Sequence, residues 1–492
     1  MLLSELAAGY EIRGTSNPDI SGISEDSRRI GPGMLFVAVR GTAEDGHHYI
    51  ADALARGAAA IAAEALPPSP DVPVVRLKAS RAALADFASR FAGHPARDLT
   101  LIGFTGTFGK TSTSAILQGL LAAGGARVAV LGSLGARYRD FSVPGSGLTT
   151  PAPVELHRAL RDLKDAGADT VIVEVTSHAL RLERVAGLMF SGGLLSAIMP
   201  GEHSDFHGSY DEYVAAKRLF LNHLSPGATL AFDADNHAAR TLARDAAVAV
   251  RAGVSLHGRT TDVRLMHVGL DHTGARFTIN GRRLHSPLLG QGHLKNVALA
   301  LTYAFAAGVT IDQARTVLRR LKPLRRRMET YTVGGRLVLD DTAGHPDSLQ
   351  ATFDVAAMLA RSPAVRADGR VAVVYAIRGS RGDDINHRNA TALADLAAEH
   401  GVSRLILTAS ADAAGPNDRA TADEVAAARR ALAARYQKFD WFDDLEGAVL
   451  EAIAATSPGD LIVLAGAQGM NEAASFLSAA DAVERTGSTY RS

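Results

Sequence analysis

The chain of 492 residues contains no cysteine. That excludes disulfides, thiolate zinc sites and cysteine nucleophiles, and it fits a reducing compartment. It also lacks a net charge: 52 basic residues cancel 52 acidic ones, so nothing global draws it to nucleic acid or to a membrane surface. Binding of a phosphate needs only a few well-placed groups and is not excluded by this balance. Long apolar runs are missing too. Gly, Asp or Arg interrupts each one well short of a bilayer span, and the N-terminus MLLSELAAGYEIRG lacks the apolar stretch of a signal peptide. The expectation is a soluble cytoplasmic protein without nucleic-acid or membrane partners.

What is present is ordinary for an α/β protein: 47% hydrophobic and 21% charged residues. Short apolar runs at 34–39, 58–63 and 72–77 alternate with Ala-rich helical stretches, and PPSP at 67–70 marks a loop. A second series begins with LTLIGFTG at 99–106 and continues with the strands 128–133 and 170–175. Helices over 111–123 and 153–166 separate them, which predicts a parallel sheet covered on both faces. Residues 255–283 carry short β-like runs, and a helix over 294–308 follows. Beyond the basic junction KPLRRRME (322–329), strands are expected at 336–341, 371–377, 404–410 and 461–467. No repeat of solenoid period occurs. Three α/β domains are expected, over 1–98, 99–324 and 325–492: a central parallel sheet with a phosphate-binding loop, and a Rossmann-like C-terminal domain.

The most informative segment is Gly106-Thr107-Phe108-Gly109-Lys110-Thr111-Ser112, placed between a strand and a helix. Glycines let backbone N–H groups approach phosphates, and the helix N-terminus adds partial positive charge. In that setting Lys110 would meet the β and γ oxygens of ATP and the Thr111 hydroxyl would ligate magnesium. The loop is shorter than the common eight-residue form, with Gly103, Gly106 and Gly109 spaced three apart. This spacing resembles the Mur ligases, which build the peptide stem of cell-wall precursors, and the related folylpolyglutamate and cyanophycin synthetases.

The resemblance runs nearly end to end and is strongest to the branch that adds the third stem residue. Asp26-Ser27-Arg28 and the stretch 32–50 resemble its uridine-binding domain, and Leu148-Thr149-Thr150-Pro151 its muramoyl-dipeptide contact. Glu174 through Leu180, with Arg184, resembles its ESSHAL…R segment; 201–220 resembles DHLDyHG…K, and 326–331 GRMExv. The resemblance implies an ATP- and magnesium-dependent ligase that activates a carboxylate as an acyl phosphate and joins it to an amine. It implies nucleotide contacts at Gly106, Thr107, Gly109, Lys110, Thr111, Ser112, Asn296, Arg327 and Asp341. It implies acceptor contacts at Ser27, Thr149, Thr150, Ser177 and Arg184, and magnesium at Thr111, Glu174, His203 and Lys217, the last as a carbamate. Two anions must meet in this chemistry, so metal and cationic groups are needed between them. Lys110, Glu174, His203, Lys217 and Arg327 are the expected catalytic set; the small-molecule substrates are a nucleotide-sugar peptide or similar carboxylate and an amino acid.

Departures from the family pattern concentrate on the amine side. Phe108 stands where the family has Asn, Glu202 and Ile198 replace an Asp and an Asn, and DYAHTPD reads Asp341-Thr342-Ala343-Gly344-His345-Pro346-Asp347. The C-terminal motifs DNPR and GKGHE, which hold the far end of diaminopimelate, become the segments 407–419 and 464–473, with Ala413 at the arginine and Met470 at the glutamate. A buried ion that loses its partner binds poorly, so an amine other than diaminopimelate is expected. A paralogue of a natural-product or poly-amino-acid pathway and a non-catalytic nucleotide-binding homologue are the competing readings.

Overall fold

The computed structural model describes residues 1–41, 44–65, 71–200, 204–257, 262–279, 281–416, 418–436 and 438–486. The expected loop at 67–70 and the candidate ligand His203 lie outside them. The chain divides into two compact units, 1–265 with 296–317, and 266–295 with 318–492.

The first unit holds two sheets. Strands β1 (Glu11–Arg13), β2 (Gly22–Ser24), β3 (Met34–Val37), β4 (Ala60–Ala63) and β5 (Val74–Arg76) form one in the order β1-β5-β4-β3-β2. All its pairs are parallel except β1 with β5. The larger sheet contains β6 (Thr100–Thr105), β7 (Val128–Gly132), β8 (Gly135–Tyr138), β9 (Phe141–Val143), β10 (Thr170–Glu174), β11 (Phe190–Leu195), β12 (Leu224–Asp233), β13 (Val250–Ser255) and β14 (Val263–Arg264). Their order is β14-β13-β12-β11-β6-β10-β7-β8-β9, parallel throughout except for the hairpins β7–β8–β9. Strands β7 and β10 are buried at every residue, as a sheet with helices on both faces requires. Leu101, Leu131, Val171 and Val173 pack there with Leu156 and Leu160 of the helix Pro153–Asp165.

The second unit holds a small antiparallel sheet of β15 (Met266–Asp271), β16 (Gly274–Ile279) and β17 (Arg282–Ser286). It also holds a six-stranded sheet of β18 (Glu329–Val333), β19 (Arg336–Asp341), β20 (Val371–Ala376), β21 (Arg404–Thr408), β22 (Phe439–Phe442) and β23 (Leu461–Gly466). The order is β18-β19-β23-β20-β21-β22, and only β18 runs antiparallel. Insertion of β23 between β19 and β20 makes this a switch point, and the carboxyl ends of such strands are where open α/β sheets place ligands. The helix expected at 294–308 begins earlier, at Gly290, and ends at Ala306. Strands β11, β12 and β13, which the sequence pattern did not single out, complete the larger sheet beside β6.

Candidate active site

The phosphate-loop segment leaves the carboxyl end of β6 and enters the helix Lys110–Ala123. Gly106 and Gly109 have φ of +148° and +82°. A Cβ on the first would run into the Ser196 side chain and one on the second into the Asn296 side chain, so only glycine fits. Ser196 Oγ donates to the Phe108 carbonyl at 2.8 Å, and Thr107 N–H to the Ala197 carbonyl at 2.9 Å, which ties the loop to the end of β11. Phe108, in place of the family's Asn, is exposed and contributes its backbone to this tie. Lys110 Nζ folds back on the carbonyls of Gly106 (2.9 Å) and Thr107 (3.2 Å).

Glu174 ends β10 at the same edge and is 1% exposed. Thr111 Oγ1 donates to its Oε2 at 3.0 Å, and Ser133 Oγ to the same oxygen at 3.2 Å. Burial pushes this carboxyl above the usual range, against the opposing charge of Lys110 and the two hydroxyl donors. Oε1 is buried and has no hydrogen-bond partner among the described residues. A buried carboxylate with one oxygen unused beside a threonine hydroxyl is a hard-oxygen donor set, the type that magnesium takes. The described residues hold no cluster of three or more His, Cys, Asp or Glu, so the set depends on hydroxyls and on neighbours of other types.

Lys217, 2% exposed, donates from Nζ to Thr105 Oγ1 (3.2 Å) and the Gly106 carbonyl (2.9 Å), and lies 5.2 Å from the centroid of the Tyr213 ring. Tyr213 OH and Thr107 Oγ1 are 3.0 Å apart, and Met199 N–H donates to the same Thr107 oxygen. The lysine therefore reaches the phosphate loop. Ser112 is buried in the first turn of the helix.

Of the expected acceptor residues, Arg184 bonds Thr150 directly and Thr149 reaches Glu174 through Ser133. Thr149 Oγ1 lies 2.9 Å from Ser133 Oγ. Thr150 is fully buried: its hydroxyl donates to the Glu174 carbonyl (2.8 Å) and accepts from Thr176 N–H (3.0 Å). Arg184 Nη1 donates to the Thr150 carbonyl at 3.0 Å, and Ser177 Oγ lies 2.9 Å from His207 Nε2. Ser27 is buried in a short turn capped by Asp26. Two residues before it, Glu25 lines a cavity of about 120 Å³ with Arg81, Pro153, Leu182 and Arg184. Burial raises the Glu25 carboxyl, with Arg184 and Arg81 opposing. Sequence reading missed Ser133, Glu25 and Arg81. Ser133 directly follows the strand β7, and that placement was the signal available for it.

In the second unit, Asp341 ends β19 and is buried, accepting from Met328 N–H at 3.0 Å and Thr352 Oγ1 at 2.9 Å. Arg327 is half-buried. Its neighbour Arg326 has φ +56° and binds Asp340 Oδ1 (3.1 Å), the Ala467 carbonyl (2.8 Å) and Asn471 Oδ1 (2.7 Å), which fixes the turn that carries Arg327. His293, whose imidazole pKa burial pushes down to about 4, donates from Nδ1 to the Leu289 carbonyl at 3.1 Å.

Comparison with known proteins accounts for this arrangement. Residues 19–92 match the Mur ligase family catalytic domain, 104–304 the Mur ligase middle domain, and 326–468 the Mur ligase glutamate ligase domain. The chain is 33% identical over 462 residues to the UDP-N-acetylmuramoyl-L-alanyl-D-glutamate–2,6-diaminopimelate ligase of Xylella fastidiosa, covering 91% of this chain and 88% of that one. It belongs to the Mur ligase family. A UDP-N-acetylmuramyl-tripeptide synthetase of Roseiflexus is 32% identical over 481 residues, covering 92% of this chain and 90% of that one. The solved structure of a UDP-N-acetylmuramoyl-L-alanyl-D-glutamate–2,6-diaminopimelate ligase superposes with a TM-score of 0.67 at 22% identity, over 99% of each chain. This Mur ligase is an ATP- and magnesium-dependent, ADP-forming enzyme with the family's three-domain architecture, and its substrates are small molecules. Among the described residues, no helix is long and apolar enough to cross a membrane.

Proposed function

We propose that this Mur ligase adds an amino acid to the free carboxylate of a UDP-muramoyl dipeptide, in the cytoplasm. The observation that carries this is the continuous chain of contacts from Thr149 through Ser133 and Glu174 to Thr111. It joins the residues read as acceptor contacts to those read as nucleotide contacts. The relatives named for this step support it across most of the chain. We place the domain limits near residues 98 and 324, which the three family matches support.

In this reading an acceptor carboxylate oxygen attacks the γ-phosphorus of ATP and ADP leaves. The amine nitrogen of the amino acid then attacks the acyl carbon, inorganic phosphate leaves, and the nitrogen gives up its proton. Bound magnesium supplies positive charge between the two anions, and Thr111 and Glu174 would hold it, with His203 and carbamylated Lys217 at a second ion. Lys110 exchanges the loop carbonyls for phosphate oxygens, and the loop amides and the helix N-terminus bind the same phosphates. Asn296 packs against the loop, and the family resemblance assigns Arg327 to the γ-phosphate and Asp341 to the ribose. Ser27, Thr149, Thr150, Ser177 and Arg184 shape and hold the acceptor side.

The amine side departs from diaminopimelate. Met470 is fully buried within an apolar cluster, so the position where the family has its glutamate offers no carboxylate to a distal ammonium, and the nearby Glu472 lies two residues on. We infer an amino acid without that distal group. The test is phosphate release from MgATP with UDP-muramoyl dipeptide across a panel of amino acids. Release that needs the nucleotide sugar and one other amino acid supports both statements; preference for diaminopimelate overturns the second, and no amino-acid-dependent release overturns the first.

A further inference from the structure

Large apolar side chains left in water are normally scattered singly over a protein surface. Around one polar contact of this chain there are three. Leu134, Val143 and Leu148 are 43, 42 and 40% exposed. Leu134 directly follows Ser133 and Leu148 directly precedes Thr149, the two residues whose hydroxyl oxygens lie 2.9 Å apart. Val143 ends β9 and pairs with Ala136 of β8, one residue beyond the turn that carries Leu134.

The backbone fixes these segments against one another. Gly135 has φ +82°, and a Cβ on it would run into the Val143 carbonyl and the backbone of residues 144–145. A Cβ on Gly145 would in turn press on the Gly135 nitrogen and the Ser133 carbonyl. Two glycines thus let 143–145 lie directly on 133–135. The polar capacity at this spot is already used within the chain. Ser133 gives its single hydroxyl proton to Glu174, so Thr149 is the donor in the contact between the two hydroxyls. What the surrounding surface offers to a substrate is apolar.

The reacting carboxylate of the acceptor must come up beside Thr111 and Glu174, where phosphate and magnesium would meet. A peptide advances by about 3.5 Å per extended residue, so the preceding acceptor residue lies one step outward, at the rim. We propose that Leu134, Val143 and Leu148 form an apolar collar for the side chain of the acceptor residue that precedes the reacting one. The collar selects acceptors in which that side chain is aliphatic. This rests on the reading that Thr149 and its neighbours hold a UDP-muramoyl dipeptide.

The experiment measures phosphate release with UDP-muramoyl dipeptides whose first residue is glycine, alanine or serine and whose second is unchanged. Wild type is compared with Leu134→Ser, Leu148→Ser, the double variant and Val143→Thr, each across the same panel of amino acids. Wild type is expected to favour alanine over glycine about 3- to 10-fold in kcat/KM, as burial of one methyl group allows. The double variant is expected to bring that ratio close to 1 and to raise KM for the acceptor, with KM for ATP unchanged. Val143→Thr keeps the shape and is expected to lose only part of the ratio. Melting temperatures should hold, since all three side chains already meet water. A ratio near 1 in wild type, or one that the variants leave unchanged, overturns the proposal while the ligase reading stands. Variants that alter the preference among amino acids but not among acceptors assign the collar to the amine and overturn it as well. Wild type without acceptor-dependent release overturns both.

Discussion

If Glu174 holds magnesium as proposed, its burial couples protons to metal. Its pKa is raised by burial, so the folded chain holds that proton more tightly than the unfolded chain does. This stabilisation is full below the unfolded value and is lost as pH rises through the folded one. Magnesium takes the ionised form, so MgATP binding is expected to release a proton and to tighten as pH rises through the range above about 4.5. Calorimetric titration in buffers of different ionisation enthalpy reads that proton directly. Glu174→Gln keeps the shape and removes the charge; kcat is expected to fall at least about 10³-fold with little change in melting temperature, because removal of metal-bound charge costs several kcal/mol in the transition state. An active Glu174→Gln enzyme would remove this residue from the metal site.

At the scale of elements, the phosphate loop depends on two backbone positions. Gly109→Ala must place a Cβ at φ +82° and against Asn296. The expected result is at least a tenfold loss of ATP affinity, since αL strain alone is about 1 kcal/mol and displacement of Asn296 adds to it. The helix Pro153–Asp165 carries a different liability. His157 is 1% exposed, neither ring nitrogen has a hydrogen-bond partner among the described residues, and burial, with His94 adding, pushes its pKa down to about 4. The folded chain therefore resists a proton that the unfolded chain accepts near pH 6.5. Stability is full above that value and is expected to drop by about 2–3 kcal/mol as pH falls from 6.5 to 4. His157→Leu should flatten that part of the pH–stability curve in denaturant titrations.

At the scale of the molecule, two compact units each carry their own cores. Thermal unfolding is expected to show more than one calorimetric transition rather than two-state behaviour. Leu339→Ala, which opens a cavity in the second unit's core, should lower one transition by about 2–5 kcal/mol equivalent and leave the other in place. A single transition that moves as a whole would show the units to be coupled. The formal net charge of zero also predicts a solubility minimum near neutral pH at low salt, readable by light scattering.

Much of this was legible in the chain because the signals are local. The strand 336–341 and the helix expected at 153–166, found at Pro153–Asp165, follow from apolar periodicity, and Gly106-to-Ser112 carries its chemistry in seven adjacent residues. Glu174 and Lys217 were legible only by likeness to a family, since a lone carboxylate or lysine has no local signature. Ser133, Glu25 and Arg81 were not legible, because their neighbours lie far along the chain: Ser133 meets Glu174 and Thr149, and Glu25 and Arg81 share a cavity with Arg184. Nor was the bond from Arg378 to the Gly344 carbonyl, because only strand order brings β19 and β20 to either side of β23. The sequence by itself determined the α/β alternation, the phosphate loop and the family, since propensity, periodicity and motif spacing act over a few residues. Tertiary structure alone decided which distant hydroxyls, carboxylates and guanidinium groups share an edge, because that depends on the order in which parallel strands pair.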